Sequence, residues 1–146
     1  MRDKQKALEE LKGRAGEEFA TVSLDIEKGL IKKFAEAVGD ENPLWCDESR
    51  SGGIIAPPTL MMTIGFNNII ESLSYDSLLT VLHGSTELEA KKEVHPGDKI
   101  TARAKITNIR ERKGQMGSTL FVYIDVDLLN QKDEQVAACR QMAIVY

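Results

Sequence analysis

The stretch from Gly52 to Ser74 constrains the fold more than any other part of the chain. Proline is tolerated in the first turn of a helix but not deeper, so the pair Pro57-Pro58 predicts the start of a helix. Apolar residues then occupy every face of the helical wheel, at Leu60, Met61, Met62, Ile64, Phe66, Ile69, Ile70 and Leu73. A helix that is apolar all round is buried, and this one is shorter than the roughly 20 apolar residues of a bilayer span. We therefore expect the rest of the chain to wrap around a central helix.

The length of 146 residues suits one domain. We expect an N-terminal helical extension over residues 1–16 and a single domain over residues 17–146. The 19 basic and 23 acidic residues create no field of one sign, so neither nucleic acid nor a membrane is predicted as a partner. Cys46 and Cys139 are predicted to be reduced thiols of a cytoplasmic protein, because a domain of this size needs no disulfide and the first residues contain no apolar secretory core.

The first half of the chain predicts two helices and one strand. Residues 3–12 have apolar side chains at helical spacing between charges and predict a short, marginal surface helix. Residues 18–24 alternate and predict an edge strand. Asp25 is expected to cap an amphipathic helix that ends at Gly39 in the left-handed conformation. Residues 40–55 are rich in turn formers and predict a loop with at most one helical turn.

The second half of the chain predicts an antiparallel sheet. Apolar and polar residues alternate over 88–94, 100–107, 120–128 and 136–146, with short turn segments between these runs. Strands joined by short turns pair as antiparallel neighbours, so the sheet is expected to follow chain order and to have one apolar face. Together with the central helix, this predicts an α+β fold in which the sheet curls around the helix. The apolar surface left on a single thin sheet predicts a dimer.

Three segments resemble a known family. The segment LIKKFAEAVGDENPLWCD, which begins at Leu30, is similar to the helix and loop with the signature Gly-Asp-x-Asn-Pro-x-His-x-Asp of MaoC-like acyl dehydratases. The segment GGIIAPPT, from Gly52, resembles the N-terminal-domain branch of that family, the FAS1-like dehydratases. The segments VLHGSTELE and VHPGDKI, from Val81 and Val94, match its later strands. The resemblance spans roughly residues 17–146.

The resemblance implies a hot-dog fold, in which two subunits place their long helices back to back and share one continuous sheet. It also implies that the substrate is a thioester of coenzyme A or acyl carrier protein. Family members add water to a trans-2-enoyl thioester to give the (R)-3-hydroxyacyl product, or reverse that reaction. No cofactor and no metal are expected, since the chain has two histidines without the spacing of a zinc site.

The chain departs from the family pattern at two places. The family pairs an Asp with a His five residues later, whereas the residue five after Asp40 is Trp45, whose indole cannot act as a base. The second place is the start of the central helix, where the family has a glycine whose N–H faces the thioester carbonyl. Pro57-Pro58 have no N–H, so the N–H of Thr59 is the predicted substitute.

Each candidate catalytic residue also has a structural interpretation. Asp40 is either a catalytic carboxylate or a turn former that accepts from the Asn42 backbone. His83 either restores a dyad with Asp40 by a different route or is a strand or interface histidine. Trp45 either lines the acyl channel or anchors an interface. The predicted catalytic residues are Asp40 and His83, and the predicted substrate-binding residues are Asn42, Trp45, Ala56, Pro58, Thr59 and Gly84.

The basic residues of the sheet also have two interpretations. Guanidinium groups suit phosphate, so these side chains either meet the phosphates of coenzyme A or form the solvated face of a strand. The residues are Arg103, Lys105, Arg110, Arg112 and Lys113.

Three hypotheses follow from the sequence. The first is a substrate-binding half of an (R)-specific enoyl-thioester hydratase or dehydratase, with a second hot-dog chain that supplies the Asp and the His. The second is a self-sufficient homodimeric hydratase or thioesterase that uses Asp40 with His83. The third is a non-catalytic acyl-thioester binding protein.

Overall fold

The computed structural model describes residues 3–146. Its elements in chain order are α1 (Lys4–Lys12), β1 (Glu18–Asp25), α2 (Lys28–Val38), α3 (Pro43–Cys46), a 3-10 helix (Pro58–Thr63), α4 (Phe66–Ser74), β2 (Val81–Ala90), β3 (Lys99–Gly114), β4 (Gly117–Leu129) and β5 (Gln135–Val145). Helices dominate the first half and strands the second, which confirms the α+β class.

Within this part of the chain, the strands form one antiparallel sheet in the order β1-β3-β4-β5-β2. The hairpins β3–β4 and β4–β5 are as predicted. The prediction that the strands pair in chain order is wrong for β2, which pairs with β5 and not with β3. Two carbonyl groups in the segment after β2 accept hydrogen bonds from other loops. The N–H of Ala56 donates to Val94 O (2.7 Å), and the N–H of Ile26 donates to Asp98 O (2.8 Å). The segment is therefore held by other loops and crosses the fold. As a result, β1, as predicted, and β2 are the edge strands.

One face of the sheet is apolar, as predicted. Along β4, every second side chain is at most 3% exposed, and these residues are Leu120, Val122, Ile124, Val126 and Leu128. Their neighbours on β3 and β5 continue the buried face, for example Ile106 and Ala143. This face and the helices enclose the hydrophobic core.

The prediction of one continuous central helix is wrong. The segment forms the 3-10 helix, an extended Ile64 and a left-handed Gly65 (φ 78°) before α4 begins at Phe66. A Cβ at Gly65 would lie 3.7 Å from Val22 and Ala102, so this turn brings the backbone close to the sheet. Burial is also less complete than predicted, because Met62, Phe66 and Ile70 are only half-buried.

The N-terminal elements mostly match the predictions. The predicted helix α1 is present, but it is not marginal, because Ala7, Leu8 and Leu11 are fully buried. Asp25 does not cap α2: it ends β1, and Glu27 precedes α2 without a side-chain capping bond. Gly39 is left-handed (φ 68°) as predicted. No helix within residues 3–146 is long and apolar enough to cross a membrane.

Candidate active site

The end of α2 and the short α3 place Asp40 and Trp45 in one cavity. The cavity has a volume of about 400 Å³ and is lined by Lys32, Ala35, Glu36, Gly39, Asp40, Glu41, Trp45 and Cys46. Asp40 Oδ1 accepts the backbone N–H of Asn42 at 3.0 Å, as its structural interpretation predicts. The Asn42 side chain in turn accepts the N–H of Leu44 at 3.0 Å and so caps α3. Both polar side chains are thus engaged in shaping the loop.

The indole of Trp45 is buried at 8% exposure. Among the described residues, no acceptor lies within hydrogen-bond distance of its Nε1. A buried donor without an acceptor costs about 1–3 kcal/mol. The Trp45 side chain can fill the site and donate one hydrogen bond, but it has no lone pair with which to accept a proton from water.

The charged side chains that line this cavity are mainly acidic. Glu36, Asp40 and Glu41 line it, and Lys32 is the one basic lining residue. The Lys32 ammonium lies 3.0 Å from Glu48, and its hydrogen bond lowers the pKa of that carboxyl group. The three carboxyl groups outnumber the one ammonium group, so the net charge of the lining is negative.

His83 lies in a different cavity, between α4 and β2. This cavity has a volume of about 410 Å³ and is lined by Met62, Thr63, Phe66, Asn67, His83 and Thr86. His83 Nε2 lies 2.6 Å from Thr86 Oγ1, and the imidazole centroid lies 5.8 Å from that of Phe66. An imidazole with a hydroxyl partner beside apolar walls is suited to proton transfer or to hydrogen bonding with a bound carbonyl.

The second cavity contains residues that sequence reasoning did not select. Phe66 is one of the apolar residues of the predicted central helix, yet it lines the cavity with Asn67 and His83. The available signal was the pair Asn67-Asn68 in an otherwise apolar helix. A polar pair on such a helix marks the side that does not face the core.

Ala56 and Pro58 line a third cavity, of about 240 Å³, with Met61 and the chain from Ala90 to Val94. The N–H of Ala56 is used in the bond to Val94 described above. Thr59 follows in the first turn of the 3-10 helix and is exposed, and its N–H stays the predicted carbonyl donor.

Gly84 lies in an irregularity of β2 between His83 and Ser85. A Cβ at this position would lie 2.5 Å from Met142 Cε and 3.0 Å from Met142 O. Only glycine therefore fits between β2 and the side chain of Met142 without displacing it.

The single chain does not bring the two predicted catalytic residues together. Asp40 and His83 line different cavities, and no hydrogen bond within residues 3–146 joins their side chains. The same residues contain no group of three or more His, Cys, Asp or Glu side chains arranged to hold a metal ion.

Sequence comparison places the chain among dehydratase-related proteins. The model of the FAS1-like, dehydratase domain region family matches residues 14–139. A UPF0336 protein of Streptomyces coelicolor is 32% identical over 106 residues, which cover 64% of this chain and 69% of that protein. A probable enoyl-CoA hydratase alpha subunit of Thermomonospora curvata is 26% identical over 133 residues, which cover 76% of this chain and 42% of that protein.

Solved structures share the fold. The (R)-hydratase from A. caviae involved in PHA biosynthesis has a TM-score of 0.70 at 19% identity, over 88% of this chain and 94% of that one. The C-terminally truncated HadBC (3R-hydroxyacyl-ACP dehydratase) complex from Mycobacterium tuberculosis has a TM-score of 0.68 at 18% identity, over 90% and 96% of the two chains. The fold is therefore the hot-dog fold of MaoC-like dehydratases, and the chain belongs to the FAS1-like dehydratase domain family.

Proposed function

We propose that this chain is the substrate-binding half of an (R)-specific enoyl-thioester hydratase or dehydratase. In this proposal a second hot-dog subunit supplies the catalytic Asp and His, and the substrate is a thioester of coenzyme A or acyl carrier protein. The observation that carries the proposal is Trp45, a buried indole that stands where the family signature has its histidine.

The chemistry explains why this position matters. Water addition to an enoyl thioester needs a base that takes a proton from water and an acid that protonates the α-carbon. It also needs donors at the thioester carbonyl, where enolate charge develops. The Trp45 indole cannot accept the proton, and the Asp40 carboxylate already holds the Asn42 N–H. The chain retains the family fold around a site that lacks one proton-transfer group.

The edge strand β2 supports the idea of a second hot-dog subunit. β2 pairs only with β5 in the described chain, so its outer edge presents unpaired backbone groups. His83 and Thr86, which line the second cavity, lie on this strand. A partner strand added to β2 would continue the sheet and close the cavity beside His83. The word "subunit" in the name of the Thermomonospora curvata relative and the paired chains of the HadBC complex agree with this arrangement.

The experiment is a reconstituted pair. The chain is co-expressed with a hot-dog subunit that has the intact Asp and His signature, and hydration of crotonyl-CoA is followed by loss of the enoyl absorbance. We expect that replacing the partner's histidine with alanine abolishes turnover, whereas Asp40→Ala in this chain changes it by less than about tenfold, far below the loss expected for a general base.

A matched control is Asp47→Ala, because Asp47 also caps a turn of the same loop through the N–H of Ser49. Equal, small effects of Asp40→Ala and Asp47→Ala support the proposal. A loss of more than about a hundredfold in Asp40→Ala alone would assign the base to this chain and contradict it. A pair that binds the acyl thioester without turnover would instead identify a binding protein.

A further inference from the structure

The sheet has a second face, opposite the one that forms the core, and at one end of it the start of α1 lines a cavity of about 940 Å³ with Phe121. The side chains of this face alternate along each strand with the buried residues of the core. Strand pairing aligns them in four cross-strand rows in the order β3, β4, β5, β2. The rows are Arg110, Phe121, Ile144, Leu82; then Asn108, Tyr123, Met142, Ser85; then Lys105, Asp125, Arg140, Glu87; and then Arg103, Asp127, Ala138, Glu89.

Within the first two rows, the side chains on β4 and β5 and Leu82 on β2 form an apolar patch, which Arg110, Asn108 and Ser85 border. Phe121, Tyr123, Met142 and Ile144 are half-buried neighbours on the central strands, and Leu82 beside them is 48% exposed. The outer face of a sheet with one buried side normally carries polar residues. Single exposed apolar residues need no explanation, but a contiguous patch marks an interaction surface.

The other two rows are charged: the third alternates in sign across the strands, and the fourth carries the neutral Ala138 on β5 between Asp127 and Glu89. The third row reads plus, minus, plus, minus from Lys105 to Glu87, and the fourth begins with Arg103 and ends with Glu89. Arg140 Nε lies 3.2 Å from Asp125 Oδ1 in the third row. Lys105, Asp125 and Arg103 on the β3 and β4 side thus each meet the opposite sign at the mirror position on the β5 and β2 side, whereas Asp127 meets the neutral Ala138.

We propose that a second copy of this chain stacks on the outer face, with a two-fold axis parallel to the strands and midway between β4 and β5. Such an axis places β3 of one copy opposite β2 of the other, and β4 opposite β5. Lys105 then faces the partner copy's Glu87, and Asp125 faces the partner copy's Arg140. The same operation places Phe121 on the partner copy's Ile144 and Tyr123 on its Met142. Aligned packing of two sheets about 10 Å apart suits this contact.

The charge pattern favours a second copy of this chain as the partner of the outer face. A nucleic acid or an anionic membrane would meet Glu87, Glu89, Asp125 and Asp127 as well as the basic side chains, and like charges repel. An isologous contact between identical surfaces pairs every charge of the third row with its opposite. This assembly uses the outer face and leaves the edge of β2 open, so it is independent of the proposed acyl-thioester function.

The first test measures molar mass in solution by sedimentation equilibrium. We expect Met142→Lys to weaken the face-to-face association at least tenfold and so to halve the mass of the assembled species at moderate concentration. The control is Val38→Lys, since Val38 is an exposed apolar residue (58%) on α2 and not on the sheet, and this variant should keep the wild-type mass. A wild-type chain that is monomeric, or a mass that Met142→Lys leaves unchanged, overturns the proposal.

The second test exchanges two charges, so that a loss of association caused by misfolding can be recognised. At low salt, Lys105→Glu and Glu87→Lys should each weaken association, and the double variant should restore most of it. Within one chain, the strands of Lys105 and Glu87 are separated by two others, roughly 14 Å in all, so only a contact between copies can produce this rescue. The control combines Lys105→Glu with Glu41→Lys. Because Glu41 lies off the sheet, this combination should show no rescue. If the loss of association in the double variant equals the sum of the losses in the two single variants, the proposal is overturned.

Discussion

Among single residues, Trp45 combines burial with a polar atom that has no described hydrogen-bond acceptor. Trp45→Phe keeps an aromatic ring in the site and removes the donor. We therefore expect the free energy of unfolding of the isolated chain to stay unchanged or to rise by about 1 kcal/mol, as measured by urea denaturation. Trp45→Ala, which removes the packing as well, should lose about 3–5 kcal/mol. A loss of more than about 2 kcal/mol in Trp45→Phe would instead mean that the packing of the larger indole or an acceptor for its N–H stabilises the fold.

Cys139 gives the chain a pH dependence at alkaline pH. The thiol is 3% exposed, and burial raises its pKa from 9.0 to about 11. The folded chain holds this proton more tightly than the unfolded chain. The stability contribution of Cys139 is therefore complete below pH 9.0 and is lost as the pH rises to about 11.

Denaturant titrations across this pH range test the assignment. Cys139→Ala should show a smaller decline in the free energy of unfolding than the wild-type chain, by at most about 1.4 kcal/mol per pH unit. Cys46→Ala, at an exposed thiol, should decline like the wild type. If all three chains decline equally, other groups cause the alkaline instability.

At the scale of elements, Gly84 determines how closely β2 approaches β5. A Cβ there would lie 2.5 Å from Met142 Cε and 2.7 Å from Met142 Sδ, so Gly84→Ala should lower the free energy of unfolding by about 1–3 kcal/mol. The matched control is Gly29→Ala in α2, where no atom lies within 4 Å of the added Cβ and alanine favours the helix by up to about 1 kcal/mol. Thermal or urea unfolding of the two variants should move in opposite directions. If Gly84→Ala is as stable as the wild-type chain, Met142 moves aside without cost.

The sequence predicts individual elements better than their connections. Residue patterns identified α1, α2, the edge strand β1, and the hairpins of β3, β4 and β5, because periodicity and glycine positions are local signals. The split of the central helix depends on Gly65, whose close approach to Val22 and Ala102 comes from the packed fold. The pairing of β2 with β5 depends on contacts of the 91–98 segment with residues distant in sequence. A window of local sequence contains neither kind of information.

At the scale of the whole molecule, the motifs around Asp40 and Pro58 led to the correct family. They did not show that Asp40, Ala56 and His83 line three separate cavities. That division arises from where α2, the 3-10 helix and β2 lie relative to one another, and residue spacing alone does not encode it. The assignment of these side chains to substrate binding or catalysis stays a prediction.

The proposed function requires that this chain alone lacks a complete set of proton-transfer groups. The most direct measurement is hydration of crotonyl-CoA by the purified chain without any other subunit, followed by loss of the enoyl absorbance. We expect no turnover above the uncatalysed rate at any concentration of the chain, and turnover when a subunit with the Asp and His signature is added. Turnover by the chain alone that disappears in both Asp40→Ala and His83→Ala would contradict the proposed function and would establish a self-sufficient site.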